Sequence, residues 1–129
     1  NIFWLDAHSL TTPNGDLVID FIDNSPNGNN CSALPGQEPV MDFNGPNKRK
    51  ILQFDGIDDQ FTISDANTIN RSEFNSKHIL TIFQTGTSIP SGTSNNKEVI
   101  YEQGGGTNGL NLYIYRGELY FHAWSKTVP

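Results

Sequence analysis

Apolar residues in this chain recur in short runs that alternate with polar ones, and no stretch sustains the three-to-four spacing of a helix face. The runs are β-branched or aromatic and are separated by Gly, Pro, Asn and Asp, the pattern of an all-β sandwich or barrel. Leu17 to Ile22 is predicted as a strand after the turn Pro13-Asn14-Gly15-Asp16, and Asn24 to Asn30 as a loop dense in turn formers. Further strands are predicted at Ile51 to Phe54, ended by Asp55-Gly56, and at Gln60 to Ile63. His78 to Gln84 is predicted as a longer strand, and a Gly/Ser/Thr/Asn-rich loop follows from Thr85 to Asn96. Glu98 to Glu102 is predicted as a strand that leads into a flexible turn at Gly104-Gly105-Gly106.

The last part of the chain is the most sharply patterned. Leu110, Leu112 and Ile114 alternate with Asn111, Tyr113 and Tyr115; after Arg116-Gly117, Leu119, Phe121 and Ala123 alternate with Tyr120, His122 and Trp124. A two-residue turn at Arg116-Gly117 fixes a hairpin register. It sets Ile114 opposite Leu119, Leu112 opposite Phe121 and Leu110 opposite Ala123. The other face then pairs Tyr115 with Glu118, Tyr113 with Tyr120 and Asn111 with His122. One face is aliphatic and the other polar-aromatic. A slip of one residue would mix them, so the register is well specified.

Composition narrows the class. Apolar residues make up 35% of the 129 residues, below the roughly 45–50% of an average globular chain, a figure that also counts Gly. Eight Phe, four Tyr and two Trp still supply core material, which separates the chain from aromatic-poor disordered segments. A net charge of −6 argues against a nucleic-acid surface, which needs a basic footprint. The basic run Lys48-Arg49-Lys50 is expected to be a solvated loop. No apolar stretch reaches the length of a membrane span. The chain begins at Asn1, not Met, and shows no signal-peptide pattern, which leads to the expectation of a mature, trimmed or excised chain. Cys31 is the sole cysteine. No internal disulfide can form, so the core must hold the fold, and a catalytic role is not expected of a thiol in so turn-rich a stretch.

Several blocks resemble a known family. Leu52-Gln53-Phe54-Asp55-Gly56-Ile57-Asp58-Asp59, followed by Phe61 and Ile63, resembles a block found in laminin-G-like jelly-roll domains. Trp4-Leu5-Asp6-Ala7 and the loop Asp23 to Asn29 resemble the opening of bacterial members, with Pro26 where a Gly is usual. Val99 to Ile114 and Gly117 to Phe121 resemble their later strands. The resemblance implies a single domain over residues 1–129, an antiparallel two-sheet jelly-roll sandwich of the concanavalin A-like kind. It implies a setting in large, secreted surface proteins of Bacteroidetes-type bacteria. Domains of this family run longer, so the chain is expected to hold about the N-terminal two-thirds of one. A C-terminal continuation or a second chain is then expected to complete the sandwich. Exposed sheet edges and open apolar patches would otherwise invite association.

Fold does not fix function, so the sites must carry it. Asp55, Asp58 and Asp59 flank Gly56 in a tight turn. They are candidate Ca²⁺ ligands, because that ion takes several hard oxygens; the competing reading is a turn whose Asp side chains bond nearby N–H groups. The resemblance implies a further ligand just before the strand at Leu110, where an Asp is common and this chain has Asn108. Tyr113, Tyr115, Tyr120, His122 and Trp124 share one hairpin face and are candidate sugar-stacking residues; the competing reading is that this face packs under the second sheet. Glycosidase chemistry needs two carboxylates about 5–10 Å apart. Glu98 and Glu102 share a face by period two, but only at the two ends of their strand. His8, His78 and His122 lack metal-ligand spacing, no Gly-x-Ser-x-Gly elbow occurs, and Gly104-Gly105-Gly106 is followed by no Gly-Lys-Ser/Thr. Asn30-Cys31-Ser32 and Asn70-Arg71-Ser72 match the glycosylation pattern and mark exposed loops.

The expected function is therefore a non-catalytic extracellular binding or adhesion module for glycans or a cell-surface ligand. The alternatives are a structural spacer in a large adhesin, or an accessory domain of a secreted glycoside hydrolase or peptidase.

Overall fold

The computed structural model describes residues 3–64, 68–69, 77–86 and 97–125. The chain divides into two compact units, Asn1–Ile69 and Asn70–Pro129. Among the described residues the structure is mostly β, in three antiparallel sheets, with only two short 3-10 turns at Ala7–Ser9 and Pro46–Lys48. No helix among them is long and apolar enough to cross a membrane.

The first unit is built from short strands. β1 (Asp20–Phe21), β2 (Cys31–Ser32), β3 (Val40–Asp42), β4 (Ile51–Gln53) and β5 (Thr62–Ile63) form a sheet in the order β1-β2-β5 and a pair β3-β4. The predicted strand from Leu17 to Ile22 is split between two partners. Leu17 bridges Val40, and the Val18 N–H donates to the Pro39 carbonyl, whereas Asp20 and Phe21 pair with Ser32 and Cys31. The buried side chains explain the split. Val18 and Phe21 both enter the core but stand three apart, out of phase with a strict period of two. Leu10, Val18, Phe21, Cys31 and Met41 form the core of this unit, with Phe3, Leu5, Leu52, Phe61 and Ile63 packed against them. The tilted Phe21–Phe61 ring pair, 5.6 Å between centroids, ties β1 to the segment before β5.

The second unit contains β6 (Lys97–Gly104), β7 (Asn108–Tyr115) and β8 (Glu118–Ser125) in that spatial order. The β7–β8 hairpin has the register expected from its pattern, with Leu112 opposite Phe121 and Tyr113 opposite Tyr120. Arg116 and Gly117 both have positive φ, 52° and 80°. Two left-handed residues in a two-residue loop are what a type I′ turn requires, and its twist matches that of the flanking strands. The β6–β7 ladder carries an irregularity between Val99 and Tyr101.

The strand predicted at His78 to Gln84 is absent. Residues 77–86 belong to no strand, and Leu80 and Ile82 are 79% and 93% exposed. Apolar content marks a side chain's preference for burial, but a strand also needs a neighbouring strand to pair with. Among the described residues this segment has none.

Candidate functional site

The strand pleat carries Tyr113, Tyr115, Tyr120, His122 and Trp124 to one face of the β7–β8 hairpin, as their period of two requires. Tyr113 and Tyr120, directly opposite each other, stack with centroids 5.3 Å apart and planes 9° from parallel. Tyr115 meets Tyr120 edge-on at 6.2 Å, and His122 stacks on Trp124 at 5.5 Å. The Lys97 ammonium lies 4.8 Å from the centre of the Tyr113 ring, and the Arg116 guanidinium 5.0 Å from that of Tyr115. The Tyr120 hydroxyl donates to Glu118 at 2.8 Å, and that carboxylate pushes the phenol's pKa above its ordinary value.

Trp124 is held at a fixed place. Its indole N–H donates to the Gly105 carbonyl at 2.8 Å, and its ring lies over Gly109, its cross-strand partner. A Cβ at residue 109 would fall inside that ring, so glycine is what lets the indole lie down on the strand. The rings are only half-covered, and His122 is exposed. Asn111 shares this face, with Glu102 and His122 opposite it on the two flanking strands. Its amide oxygen is buried and has no hydrogen-bond partner among the described residues.

The opposite face of the hairpin is aliphatic. Ile114 is buried there, whereas Leu119 and Phe121 are 57% and 65% exposed. Gln103 lies on this side, opposite Leu110, and its side-chain oxygen accepts from the Tyr101 hydroxyl and the Lys77 ammonium.

Glu98 and Glu102 do not share a face. Glu98 stands opposite Ile114 and Glu102 opposite Asn111, on the two sides of the sheet. The irregularity at Ile100 inserts one residue between them and reverses the alternation. Counting by twos along β6 assumed an unbroken ladder, and nothing in the residues themselves announces the extra one.

Asp55, Asp58 and Asp59 do come together, with one oxygen of each within 4.8 Å of the others. Asp55 accepts from the Ile57 N–H at 2.8 Å and the Asp58 N–H at 3.3 Å, and Asp59 accepts from the Asp55 N–H at 2.8 Å. The Ile57 N–H above all holds Asp55 below the usual carboxylate range. The turn thus uses its acids to bind its own backbone, and oxygens of all three carboxylates remain for a hard cation. Asn108 belongs to the second unit, where it opens β7 opposite Ser125.

The sequence reading missed the most densely bonded carboxylate. Asp23 is buried and accepts from the Trp4, Ser25 and Asn29 N–H groups at 2.8, 2.9 and 2.8 Å, and from the Ser25 hydroxyl at 2.7 Å. Its own N–H donates to Asn30 at 2.9 Å. Burial alone would raise its pKa, but these hydrogen bonds outweigh that and lower it. The available signal was an Asp opening a loop of Asn, Ser and Gly, whose N–H groups have no ladder to join.

Comparison of the chain with protein-family models, with curated proteins and with solved structures finds no match.

Proposed function

We propose that this chain is a non-catalytic binding module of a secreted bacterial surface protein, a laminin-G-like jelly roll that engages glycans through the aromatic face of the β7–β8 hairpin. The stacked, half-exposed rings of Tyr113, Tyr120, His122 and Trp124 carry this reading. Aromatic rings offer flat apolar faces with polar rims, which complement sugar rings. Rings already locked by stacking lose little conformational entropy when a ligand arrives. The exposed apolar residues Leu119 and Phe121 on the reverse face support the sandwich, in which one apolar sheet face lies against a second sheet.

The test is a glycan array followed by titration of any hit. Trp124→Ala and Tyr120→Ala should each weaken binding about tenfold or more, since one ring-on-ring stack is worth on the order of 1–2 kcal/mol. Trp4→Phe, in the first unit, should leave affinity unchanged. A chain that binds no glycan, or binds equally well without Trp124, would remove the reading.

A calcium ion at Asp55, Asp58 and Asp59 is a second part of the proposal. Three carboxylates suit a hard cation, which would take its remaining oxygens from carbonyls and water. The ion would brace the turn between β4 and β5. Calorimetric titration should give one calcium per chain, and calcium at ten times its dissociation constant should stabilise the chain by about 1.4 kcal/mol. Asp58→Asn should abolish the effect; a melting temperature indifferent to both calcium and chelator would dismiss the ion.

A further inference from the structure

Among the described residues, no strand pairs with the outer edge of β8. β8 ends the sheet order β6-β7-β8, and its ladder with β7 runs without a break from Tyr115↔Glu118 to Asn108↔Ser125. In a two-residue hairpin the residues flanking the turn form a hydrogen-bonded pair, and the ladder alternates from there. Glu118, Tyr120, His122 and Trp124 therefore turn their N–H and C=O groups toward β7. Leu119, Phe121 and Ala123 turn theirs away, to an edge that no described strand occupies.

Those same three residues carry the exposed apolar side chains of the strand. The edge is thus open in its backbone and apolar in its side chains at the same positions. Natural edges are commonly protected by a Lys, a Pro or an inward-pointing charge. Residues 119–124 read Leu-Tyr-Phe-His-Ala-Trp and contain none of these. The ladder of β8 carries no bulge either.

We propose that this edge joins a second copy of the same chain, antiparallel, about a two-fold axis at Phe121. The edge is its own complement in that register. Leu119 of one copy faces Ala123 of the other, Phe121 faces Phe121, and Ala123 faces Leu119. Each of these is a hydrogen-bonded pair, so every outward N–H and C=O from 119 to 123 finds a partner. Side chains sort as well: Leu119, Phe121 and Ala123 of both copies form one apolar stripe, and Tyr120 meets His122 on the other side. A shift of one residue would set Leu119 against aromatic-face residues and misalign the outward groups. The result is a continuous sheet of two three-stranded halves, with both aromatic faces on the same side. This assembly does not depend on those faces binding glycans.

The experiment is sedimentation velocity on the whole chain over a range of concentrations, at about 0.15 M salt, where repulsion between acidic copies is screened beyond about 8 Å. The expected result is a concentration-dependent shift to twice the chain mass. Phe121→Lys, which sets two ammonium groups face to face on the axis, should return the monomer with an unchanged far-ultraviolet circular dichroism spectrum. The register has its own readout. In a hydrogen-bonded pair the Cα atoms lie about 5.5 Å apart, within the disulfide range of about 4.4–6.8 Å. Phe121→Cys should therefore cross-link to a covalent dimer on mild oxidation, while Leu119→Cys should not. A monomer at every concentration, as expected if another strand fills the edge, would overturn the proposal. So would a dimer that survives Phe121→Lys, or cross-linking that is equal at residues 119 and 121.

Discussion

Asp23→Ala is expected to destabilise the first unit by about 3–5 kcal/mol, measured by chemical denaturation. The carboxylate accepts three backbone N–H groups and one hydroxyl from a buried position. Hydrogen bonds to a charged acceptor contribute about 1.5–3 kcal/mol each, and the total falls short of four times that because the Trp4 and Ser25 donors are only part-buried and water can serve them once the carboxylate is gone. These bonds join Trp4 near the start of the chain to the loop before β2, so their loss frees both segments at once. Asp23→Asn should recover only part, because the amide nitrogen cannot accept. The effect also has a pH signature. The folded carboxyl has a pKa below the unfolded reference of 3.8, so its contribution is complete above that value. It is lost as pH falls below 3.8 and through the lower folded value. Wild type should therefore lose stability in acid more steeply than Asp23→Ala, and parallel acid profiles would contradict the role given to this residue.

Gly109→Val is expected to cost the second unit about 1–3 kcal/mol, the range for forcing a side chain into occupied space. The Trp124 ring occupies the position a Cβ would take. The indole must then swing away and give up its bond to the Gly105 carbonyl. The displaced ring should show as a red-shifted, more quenchable tryptophan emission, with the β-sheet circular dichroism retained. The double variant Gly109→Val/Trp124→Ala should recover much of the loss, because the steric conflict needs both partners. If Gly109→Val costs the same with and without Trp124, the close approach is not what selects glycine there.

The hairpin was legible because two kinds of information agree in it. Leu110, Leu112, Ile114, Leu119, Phe121 and Ala123 fall on one side only if the turn is Arg116-Gly117, and the positive φ of both turn residues suits that loop. The aromatic cluster followed, since shared faces follow from shared parity. The same parity failed on β6, where an irregularity at Ile100 sends Glu98 and Glu102 to opposite sides. It failed again at Leu17 to Ile22, where the chain changes partners midway. His78 to Gln84 reads as a strand by composition and pairs with nothing among the described residues. Pairing is a property of two segments, and a run read alone cannot supply the second. The acidic turn was readable from local spacing, because Asp55, Asp58 and Asp59 are close in the chain before they are close in space. The Asp23 network was not, since its Trp4 donor lies nineteen residues away.

Cys31 gives the first unit a built-in clock. Its thiol is 2% exposed, and burial, with the Asp23 charge nearby, raises its pKa to about 12. Alkylating reagents attack the thiolate, so the folded chain at neutral pH should be almost inert to them. Once the unit opens, the thiol recovers an ordinary pKa and reacts at the free-cysteine rate. When closing is faster than reaction, the labelling rate reports the equilibrium fraction open. One cysteine per chain means at most one adduct per molecule, counted by mass and blind to any unfolding confined to residues 70–129.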